Sequence, residues 1–299
     1  MSDDPKISAR SRRSKSEHPL RAGLYLVATP IGNSRDITLR ALDVLASVDR
    51  LYAEDTRVTA KLLAMHAIAR PMHSYREQNA RTADAQIKRE IDAGQSVAVV
   101  SDAGSPLISD PGHSLVATIA ETGGLVFPVP GPSAAIAALI ASGLPSDRFF
   151  FAGFLPNRSN ERRRAIRELE GIPGTLIFYE APTRLAETIT DLAAVLGNRD
   201  AVVARELTKM HEEFVRSPLD ALIEHYERHP DVKGEIVILV APPGAQAKVT
   251  DENEIDRRLM EQLKSHPVKD AAAIVAADLG LARRVVYARA LSLKKSNEG

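Results

Sequence analysis

Residues 97–112 of this 299-residue chain, VAVVSDAGSPLISDPG, constrain its fold more than any other stretch. Four β-branched or small apolar residues predict a buried strand, and the small and polar residues that follow predict a loop. In an open α/β sheet, ligands bind beyond the carboxyl ends of the strands. There Gly104 allows close approach to the main chain, Ser105 supplies a hydroxyl and Asp102 a carboxylate. The stretch predicts an α/β fold with a ligand site in this loop; the alternative is a tight connection that binds nothing.

Composition limits the classes of protein that fit. A chain of this length with 44% hydrophobic residues is large enough for about two domains. Its 39 basic and 39 acidic residues cancel, so any attraction to nucleic acid must come from local patches. The absence of cysteine excludes disulfides, thiolate catalysis and cysteine-ligated zinc, and no metal site is predicted. The chain has neither a signal-peptide pattern nor an apolar stretch of membrane-spanning length, so we expect a cytoplasmic protein without a membrane partner.

The first predicted strand, at 23–28, also ends in a tight loop, TPIGN at 29–33. This loop does not match the dinucleotide-binding fingerprint, because Gly32 stands alone and Pro30 has no N–H to offer a pyrophosphate. The chain also has no Walker phosphate loop. These observations argue against a Rossmann dehydrogenase and against an NTPase.

Two further strand ends in the first half carry polar or small residues. The predicted strand at 48–52 opens into AEDTR at 53–57, which either forms an ion pair that fixes the loop or faces the same crevice as Asp102. The predicted strand at 125–129 runs into PGPS and a helix of small residues. Ser133 is a predicted N-cap, and the free amides there could receive a carboxylate; the alternative is a proline-stiffened turn.

The second half repeats the alternation of strands and helices. An aromatic strand within 149–156 begins it, and three arginines at 162–164 either contact phosphates or form a solvated helix face. Later strands end in EAPTR at 180–184 and RELTK at 205–209. Sequence spacing does not decide whether the first of these, with Glu180 and Arg184, holds a salt bridge or substrate contacts.

Seven motifs together resemble one bacterial family. They are LYLVATPIGN at 24–33, AEDTR at 53–57, SDAGSPLISDPG at 101–112, VPGPS at 129–133, FAGFLP at 151–156, FYEAP at 178–182 and RELTK at 205–209. In this order they resemble the family of ribosomal RNA small subunit methyltransferase I, the 16S rRNA cytidine 2′-O-ribose methyltransferases of the tetrapyrrole methylase-like superfamily. The resemblance covers about residues 21–245.

The resemblance implies a fold and a cofactor. The fold is two α/β domains of the tetrapyrrole methylase type, at 21–145 and 146–245, with S-adenosylmethionine in the cleft between them, and the chain forms a homodimer. The implied cofactor-binding residues are Pro30, Asp102, Gly104, Ser105, Ser133, Ala134, Tyr179 and Gly234. Free amides and hydroxyls suit the amino-acid end of this cofactor, and an apolar slot suits its adenine.

The implied reaction is displacement at the sulfonium methyl carbon by a ribose 2′-hydroxyl of 16S rRNA in the small ribosomal subunit. A carboxylate can take the proton of this weak nucleophile. The candidate catalytic residues, each following a predicted strand, are Glu54, Asp55, Glu180 and Glu206. The candidate RNA-phosphate contacts beside them are Arg57, Arg184, Arg205 and Lys209.

The two ends of the chain differ in character from the middle. Residues 1–20 are basic and poor in large apolar groups, which predicts a disordered arm. Residues 250–299 predict a helical, helix-turn-helix-like segment with Gly280 at its break. Arg283, Arg284 and Arg289 make its second helix basic and predict contact with RNA, the first two as candidate binding residues. The alternative for this segment is a helical hairpin packed on the body or on a dimer partner.

Three functions remain open from the sequence. The first is an rRNA 2′-O-methyltransferase, and the second a methylase of small corrin or porphyrin precursors that shares the cofactor cleft. The third is a nucleic-acid-binding protein whose cleft is vestigial or binds a regulatory ligand. The basic tail and the AEDTR loop favour RNA over a tetrapyrrole, and the number of intact cleft loops argues for an enzyme.

Overall fold

The computed structural model describes residues 20–108, 113–243, 252–279 and 283–297. These form two five-stranded sheets with flanking helices, followed by three helices. The α/β prediction is confirmed. Residues 1–19, which hold most of the predicted basic arm, and Gly280 lie outside the described residues.

The first sheet is parallel throughout, with strand order β3-β2-β4-β1-β5. Its strands are β1 Gly23–Val27, β2 Arg50–Ala53, β3 His73–Ser74, β4 Ser96–Val100 and β5 Val126–Val129. Its helices are α1 Leu39–Ser47, α2 Thr56–Met65, α3 Ala80–Asp92, α4 His113–Glu121 and α5 Ala134–Ser142. Every residue of β4 is buried, which agrees with its unbroken apolar sequence. Because all five strands run the same way, the loops after them meet at one edge.

Helices cover both faces of the first sheet. Side chains of α1 and α2 pack with β1, β2 and β4 on one face, where Leu42, Leu45 and Leu63 are buried. Side chains of α3 and α4 pack on the other face through Ile87 and Leu115. The apolar spacing of these helices therefore serves the core and leaves the loops at the carboxyl edge free for other contacts.

The second sheet is mixed, with strand order β6-β7-β10-β8-β9. Its strands are β6 Phe149–Phe154, β7 Thr175–Glu180, β8 Asp200–Arg205, β9 Glu213–Pro218 and β10 Ile236–Val240. Its helices are α6 Ser159–Leu169, α7 Leu185–Leu196 and α8 Leu219–Arg228. Because β10 runs antiparallel to β7 and β8, its first residue, Ile236, pairs with Glu180 and Arg205 at the ends of those strands. The start of β10 and the ends of β7 and β8 therefore share one edge.

Helix α5 joins the two sheets. It follows the first sheet in sequence, but its buried Ala138 and Leu139 pack on Ile177, Val202 and Leu239 of the second sheet. The helices α6, α7 and α8 cover the opposite face of that sheet. This packing brings the N-terminus of α5 and the loops of the first sheet against the shared edge of the second.

Arg162, the first of the three arginines at 162–164, corrects an expectation from the sequence, whereas Arg164 is exposed, as a solvated helix face requires. Arg162 is 1% exposed, and its Nε donates to Asp191 Oδ2 at 2.6 Å. Arg163 and Ser159 also donate to Asp191, at 2.5 and 3.0 Å. Burial raises the pKa of Asp191, but these hydrogen bonds outweigh burial and leave its pKa lowered. Arg162 therefore neither contacts phosphates nor lies on a solvated face; it ties α6 to α7.

The last three helices, α9 Glu252–Gln262, α10 Val268–Leu279 and α11 Arg283–Asn297, form a small core of their own. Buried Leu259, Val275 and Val286 hold it together. Arg289, expected to add to a basic surface, donates to both carboxylate oxygens of Asp256 at 2.7 Å. The side chains of Arg283 and Arg284 lie outside the described residues. No helix in the described part of the chain combines the length and apolarity needed to cross a bilayer.

Candidate active site

A cavity of about 470 Å³ lies where the two sheets meet. Loops of the first sheet line it with Glu54, Asp102, Gly104, Ser105, Ser133 and Ala134, and the second sheet lines it with Tyr179, Glu180 and Gly234. Seven of the eight candidate cofactor residues therefore surround one space, and Pro30 is the exception. The loop assignments made from the sequence converge here because parallel strands end at a common edge.

The loops after β1 and β4 are joined by backbone hydrogen bonds. Thr29 and Gly104 exchange two of them, at 2.9 and 3.0 Å, and Thr29 Oγ1 donates to the Ser101 carbonyl at 3.1 Å. Gly104 has a φ of 74°, a conformation that favours glycine. A Cβ at this position would meet nothing closer than 3.6 Å. The backbone conformation, and not crowding, therefore explains the glycine, and its main chain stays open to a ligand.

Glu54 and Asp102 line this cavity side by side and are linked through main-chain amides. The Asp102 amide donates to Glu54 Oε2 at 3.2 Å, and the Asp55 amide donates to Asp102 Oδ1 at 2.9 Å. Arg76 Nε donates to the Glu54 carbonyl at 2.9 Å and fixes the backbone. Each carboxylate is thus oriented by one main-chain N–H and retains oxygen lone pairs that can accept from a ligand.

Asp55, in contrast, does not line the cavity. It is the N-cap of α2, where its carboxylate accepts from the Arg57 amide at 2.8 Å and from Arg57 Nη2 at 2.6 Å. These bonds lower the pKa of Asp55, so its carboxylate is a weak proton acceptor. The AEDTR loop therefore divides its carboxylates, with Glu54 facing the cavity and Asp55 holding the loop through the ion pair.

Ser133 lies at the N-cap of α5, as predicted, but its side chain makes no capping hydrogen bond. The first amides of a helix have no acceptor within the helix, and its N-terminus carries partial positive charge. Ser133 and Ala134 line the cavity, so this polar helix end faces the space where a ligand would lie.

Glu180 lines the cavity but is 3% exposed and fully engaged. It accepts from the Ala181 amide at 2.7 Å, from Thr188 Oγ1 at 2.6 Å and from Arg184 Nη2 at 3.0 Å. Arg184 also bonds to Asn157 and to the Leu155 carbonyl. Of the two readings left open for Glu180 and Arg184, the structure has the salt bridge, and it fixes the turn after β7.

Glu206 lies just behind the cavity wall. It accepts from Lys209 Nζ at 2.7 Å and from the Glu235 amide at 3.0 Å, and these bonds lower its pKa. Gly234, with φ of 95°, packs so tightly here that a Cβ would lie 2.4 Å from the Glu206 carboxyl. Glu206 therefore supports the backbone that lines the cavity and does not itself reach the ligand space.

The four candidate phosphate contacts in the two sheets are all ion-paired within the chain. The partners are Asp55 for Arg57, Glu180 for Arg184, Glu213 for Arg205, and Glu206 with Glu235 for Lys209. Their positive charge is thus largely compensated locally. These four residues were predicted to bind phosphates because they follow predicted strands. The sequence does not reveal which of them has a carboxylate beside it in the folded chain.

A second cavity, of about 290 Å³, adjoins the first. Pro30 and Ser34 of the β1 loop line it together with Val58, Lys61 and Met65 of α2. Asp102 is the residue that lines both cavities. None of these cavity-lining α2 residues was predicted from the sequence, although the spacing of Val58, Lys61, Leu62 and Met65 is that of one helix face.

Sequence reasoning also missed Phe154, which lines the first cavity. It is largely exposed, and its ring meets that of Tyr179 edge to face at 5.6 Å between centroids. Its place at the end of an aromatic strand was the available signal, because aromatic side chains contribute strongly to binding surfaces as well as to cores.

Two family models match the sequence. Residues 23–223 match the tetrapyrrole (corrin/porphyrin) methylases, and residues 249–294 match the RsmI C-terminal HTH domain. The second match identifies the three-helix segment after the second sheet as a helix-turn-helix domain, as its sequence predicts.

Curated relatives match nearly the whole chain. A protein of Mesorhizobium japonicum is 47% identical over 94% of this chain and 96% of its own length. One of Escherichia coli O157:H7 is 44% identical over 90% of this chain and 94% of its own length. Both are named ribosomal RNA small subunit methyltransferase I.

Solved structures share the fold. Uroporphyrin-III C-methyltransferase from Thermus thermophilus, complexed with S-adenosylhomocysteine, superposes with a TM-score of 0.51 and 20% identity over 73% of this chain and 97% of its own. That structure supports the two-sheet fold, whereas the curated relatives extend through the helix-turn-helix domain as well. The chain belongs to the ribosomal RNA small subunit methyltransferase I family of the tetrapyrrole methylases, and it is a methyltransferase.

Proposed function

We propose that this methyltransferase transfers a methyl group from S-adenosylmethionine to the ribose 2′-hydroxyl of a cytidine in 16S rRNA of the small ribosomal subunit. The observation that carries the proposal is the convergence of seven candidate cofactor residues, from both sheets, on one 470 Å³ cavity. Family membership supports the choice of rRNA over a tetrapyrrole, because the helix-turn-helix match accompanies the methylase match in the same chain.

The cavity fits the chemistry of this cofactor. The free amides at the start of α5, near Ser133 and Ala134, suit the amino-acid carboxylate, and the open main chain at Gly104 allows close approach. Ile31, Leu207 and Val237 give the cavity an apolar wall for the adenine. The bound cofactor supplies a methyl group on a positively charged sulfur, which makes the methyl carbon electrophilic.

The chain's own residues supply orientation and a proton acceptor. Of the carboxylates that line the cavity, Glu180 has its oxygens engaged and Glu235 accepts from Lys209 Nζ at 3.1 Å, whereas Glu54 and Asp102 keep oxygens available to a ligand. Asp55 and Glu206 do not line the cavity. We assign Asp102 as the group that accepts the hydroxyl proton, because it lies between the two cavities. Glu54 holds the Asp102 backbone and keeps that carboxylate in place.

Binding of the ribosomal subunit requires cationic surface away from the ion-paired strand ends. The helix-turn-helix domain supplies it in this proposal, with Arg283 and Arg284 of α11 as phosphate contacts. Electrostatic binding of this kind weakens as salt rises. The protein works where ribosomes assemble, in the cytoplasm.

The proposal includes a homodimer. Exposed apolar side chains support it: Ile136 and Ile140 lie on α5, and Phe149 and Phe150 lie on the edge strand β6. Analytical ultracentrifugation of the wild-type protein should give twice the chain mass, and Ile140→Glu should shift the protein toward the monomer. A wild-type monomer at micromolar concentration would rule the dimer out.

The decisive experiment is methyl transfer to small ribosomal subunits from a strain that lacks this protein. Labelled S-adenosylmethionine should mark one cytidine on its ribose, as mapped by nuclease digestion and mass spectrometry. Label on a base, or on no RNA, would overturn the proposed reaction. Calorimetric binding of S-adenosylhomocysteine should accompany the transfer, and its absence would overturn the cofactor assignment.

A further inference from the structure

One wall of the second cavity is a face of α2 that the core uses only in part, since Leu62 packs against the first-sheet core while Val58, Lys61 and Met65 do not. Thr59 and Leu63 are the buried residues of α2, whereas the exposed fraction is 43% for Val58 and 55% for Met65. Apolar side chains on the outer face of a helix are unexplained by core packing. Lys61 lies one helical turn after Val58 and one turn before Met65, so the three side chains share one face of α2.

The opposite wall of this cavity is the β1 loop, which the rest of the protein holds rigidly. Thr29 is bonded to Gly104 and to Ser101, and the Asn33 amide donates to Thr208 Oγ1 at 3.0 Å. Gly32 packs so closely on the second sheet's loops that a Cβ would lie 2.6 Å from Lys209. Pro30 therefore faces α2 from a fixed backbone, so the cavity is preformed.

The second cavity differs from the strand ends in that its cation, Lys61, is not neutralised by a neighbouring carboxylate of the described residues. Lys61 lines it and forms no ion pair with any residue that the structure describes, unlike the four candidate cations discussed above. On the other side of the cavity, Asp102 keeps one carboxylate oxygen free of hydrogen bonds to the described residues. The cavity thus offers an ammonium, two apolar side chains and a carboxylate in one small space.

We propose that this second cavity, formed by Pro30, Val58, Lys61, Met65 and Asp102, binds the target nucleotide of the RNA after it leaves its stack. Val58, Met65 and Pro30 pack on the pyrimidine, Lys61 binds a flanking phosphate, and Asp102 accepts a hydrogen bond from a ribose hydroxyl. An enzyme that modifies a nucleotide within folded RNA needs such a pocket next to its cofactor. This inference rests on the proposed function, and Asp102 supplies the connection because it borders both cavities.

The volume sets a limit on the occupant. About 290 Å³ is just below the range for small-molecule sites, roughly 300–1,000 Å³. That space suits a single nucleoside and is too small for a tetrapyrrole macrocycle. The size of the pocket therefore favours a nucleoside over a tetrapyrrole as the acceptor.

The chain has no cysteine, so a single introduced thiol can report occupancy without a change of background. In Met65→Cys the thiol lies in the pocket; in the matched control, Thr190→Cys, it lies on the exposed outer face of α7. The alkylation rate by N-ethylmaleimide is measured with cytidine 5′-monophosphate, with guanosine 5′-monophosphate, or with S-adenosylhomocysteine. The nucleotides are titrated to tens of millimolar.

We expect cytidine 5′-monophosphate to slow alkylation of Met65→Cys about fivefold or more while Thr190→Cys is unaffected, because a bound base covers the residue on which it packs. S-adenosylhomocysteine alone should leave the rate unchanged. Protection by S-adenosylhomocysteine would assign the pocket to the cofactor and overturn the inference. Equal protection by both nucleotides, or by neither, would also overturn it.

A substitution provides the second readout. Val58→Glu places a negative charge in the pocket and should lower kcat/KM for small subunits about tenfold or more, because it repels RNA. The matched control is Leu39→Glu, at an exposed apolar residue of α1 outside both cavities. S-adenosylhomocysteine affinity should stay within about twofold for both variants, since neither residue lines the first cavity.

The outcomes separate this inference from the proposed function. Wild-type transfer to the subunits tests the function by itself. Transfer by the wild type together with full activity of Val58→Glu would overturn the nucleotide pocket alone. Absence of wild-type transfer would overturn the proposed function, whatever the alkylation rates show.

Discussion

The acidic side chains on the two sheets are held in opposite ways. Glu180 at the end of β7 and Asp191 on α7, which packs on the second sheet, are buried, and each accepts three hydrogen bonds from side chains or backbone. At the carboxyl edge of the first sheet, Glu54 and Asp102 are oriented mainly by main-chain amides and face the cavity. Glu54, Asp102 and Glu180 lie at strand ends and Asp191 lies within a helix. Position in the sequence therefore does not show which of these carboxylates are buried and which face the cavity.

The difference shows which carboxylates can do chemistry. A carboxylate whose oxygens are all occupied by donors contributes to structure, because accepting a proton would break those bonds. A carboxylate held by a single N–H is oriented but keeps oxygens for a ligand. The buried carboxylates of the second sheet and its helices therefore support the structure, and in the proposed function the edge of the first sheet supplies the reacting group.

The largest effect is expected for Glu180→Ala. This change leaves Arg184, which is largely buried, without its carboxylate partner, and should lower the free energy of unfolding by about 3–5 kcal/mol. Urea unfolding followed by circular dichroism measures it. Glu168→Ala, which removes an exposed carboxylate of α6, is the control and should cost less than about 1 kcal/mol. A loss of activity without a loss of stability would contradict the structural role of Glu180.

The next largest effect is expected on the rate of methyl transfer, from changes to Glu54 and Asp102. Asp102→Asn should reduce the single-turnover rate of methyl transfer about a hundredfold, as expected when a proton acceptor is removed, with stability nearly unchanged. The amide retains a carbonyl oxygen that can accept from the Asp55 amide, so the loop should keep its shape. Rapid-quench measurement with saturating cofactor tests this. A normal rate would remove Asp102 as the proton acceptor, and a lower rate in Glu54→Gln than in Asp102→Asn would transfer that role to Glu54.

The smallest effect is a pH dependence of stability from Asp191. Its pKa is lowered in the folded protein, so its stabilising contribution is present above the pKa of an unfolded aspartate and is lost as pH falls through the folded pKa. Unfolding free energies of the wild type and of Asp191→Asn should therefore differ most near pH 7. As the pH is taken from about 5 to about 2, this difference should shrink by about 1.4 kcal/mol for each unit by which folding lowers the pKa of Asp191. A difference that stays constant over this range would show that Asp191 has an ordinary pKa.

Much of the site was predictable because parallel strands constrain their loops. Buried strands are recognisable from unbroken apolar runs such as that of β4, and the residues after them must meet at one edge. The seven candidate cofactor residues that line the first cavity follow from this geometry together with the family motifs. Pro30 belongs to the same loop set, but it lies on the far side of Asp102 and lines the second cavity.

The roles of individual charges were not predictable. Arg162 lies in a run of three arginines, yet it is buried because Asp191, 29 residues away in sequence, approaches it from α7. Arg289 pairs with Asp256 across the helix-turn-helix domain in the same way. Such pairings depend on how helices pack, and helix packing is a property of the assembled core.

The sequence by itself determined the α/β class, the strand ends that carry the candidate ligand-binding residues and the family to which the chain belongs, because periodicity and local motifs are written in consecutive residues. Only the tertiary structure decided which carboxylates are free and which are engaged, and it alone revealed the second cavity against α2. Those features arise where segments far apart in the chain come within hydrogen-bond distance, and no local pattern encodes that distance.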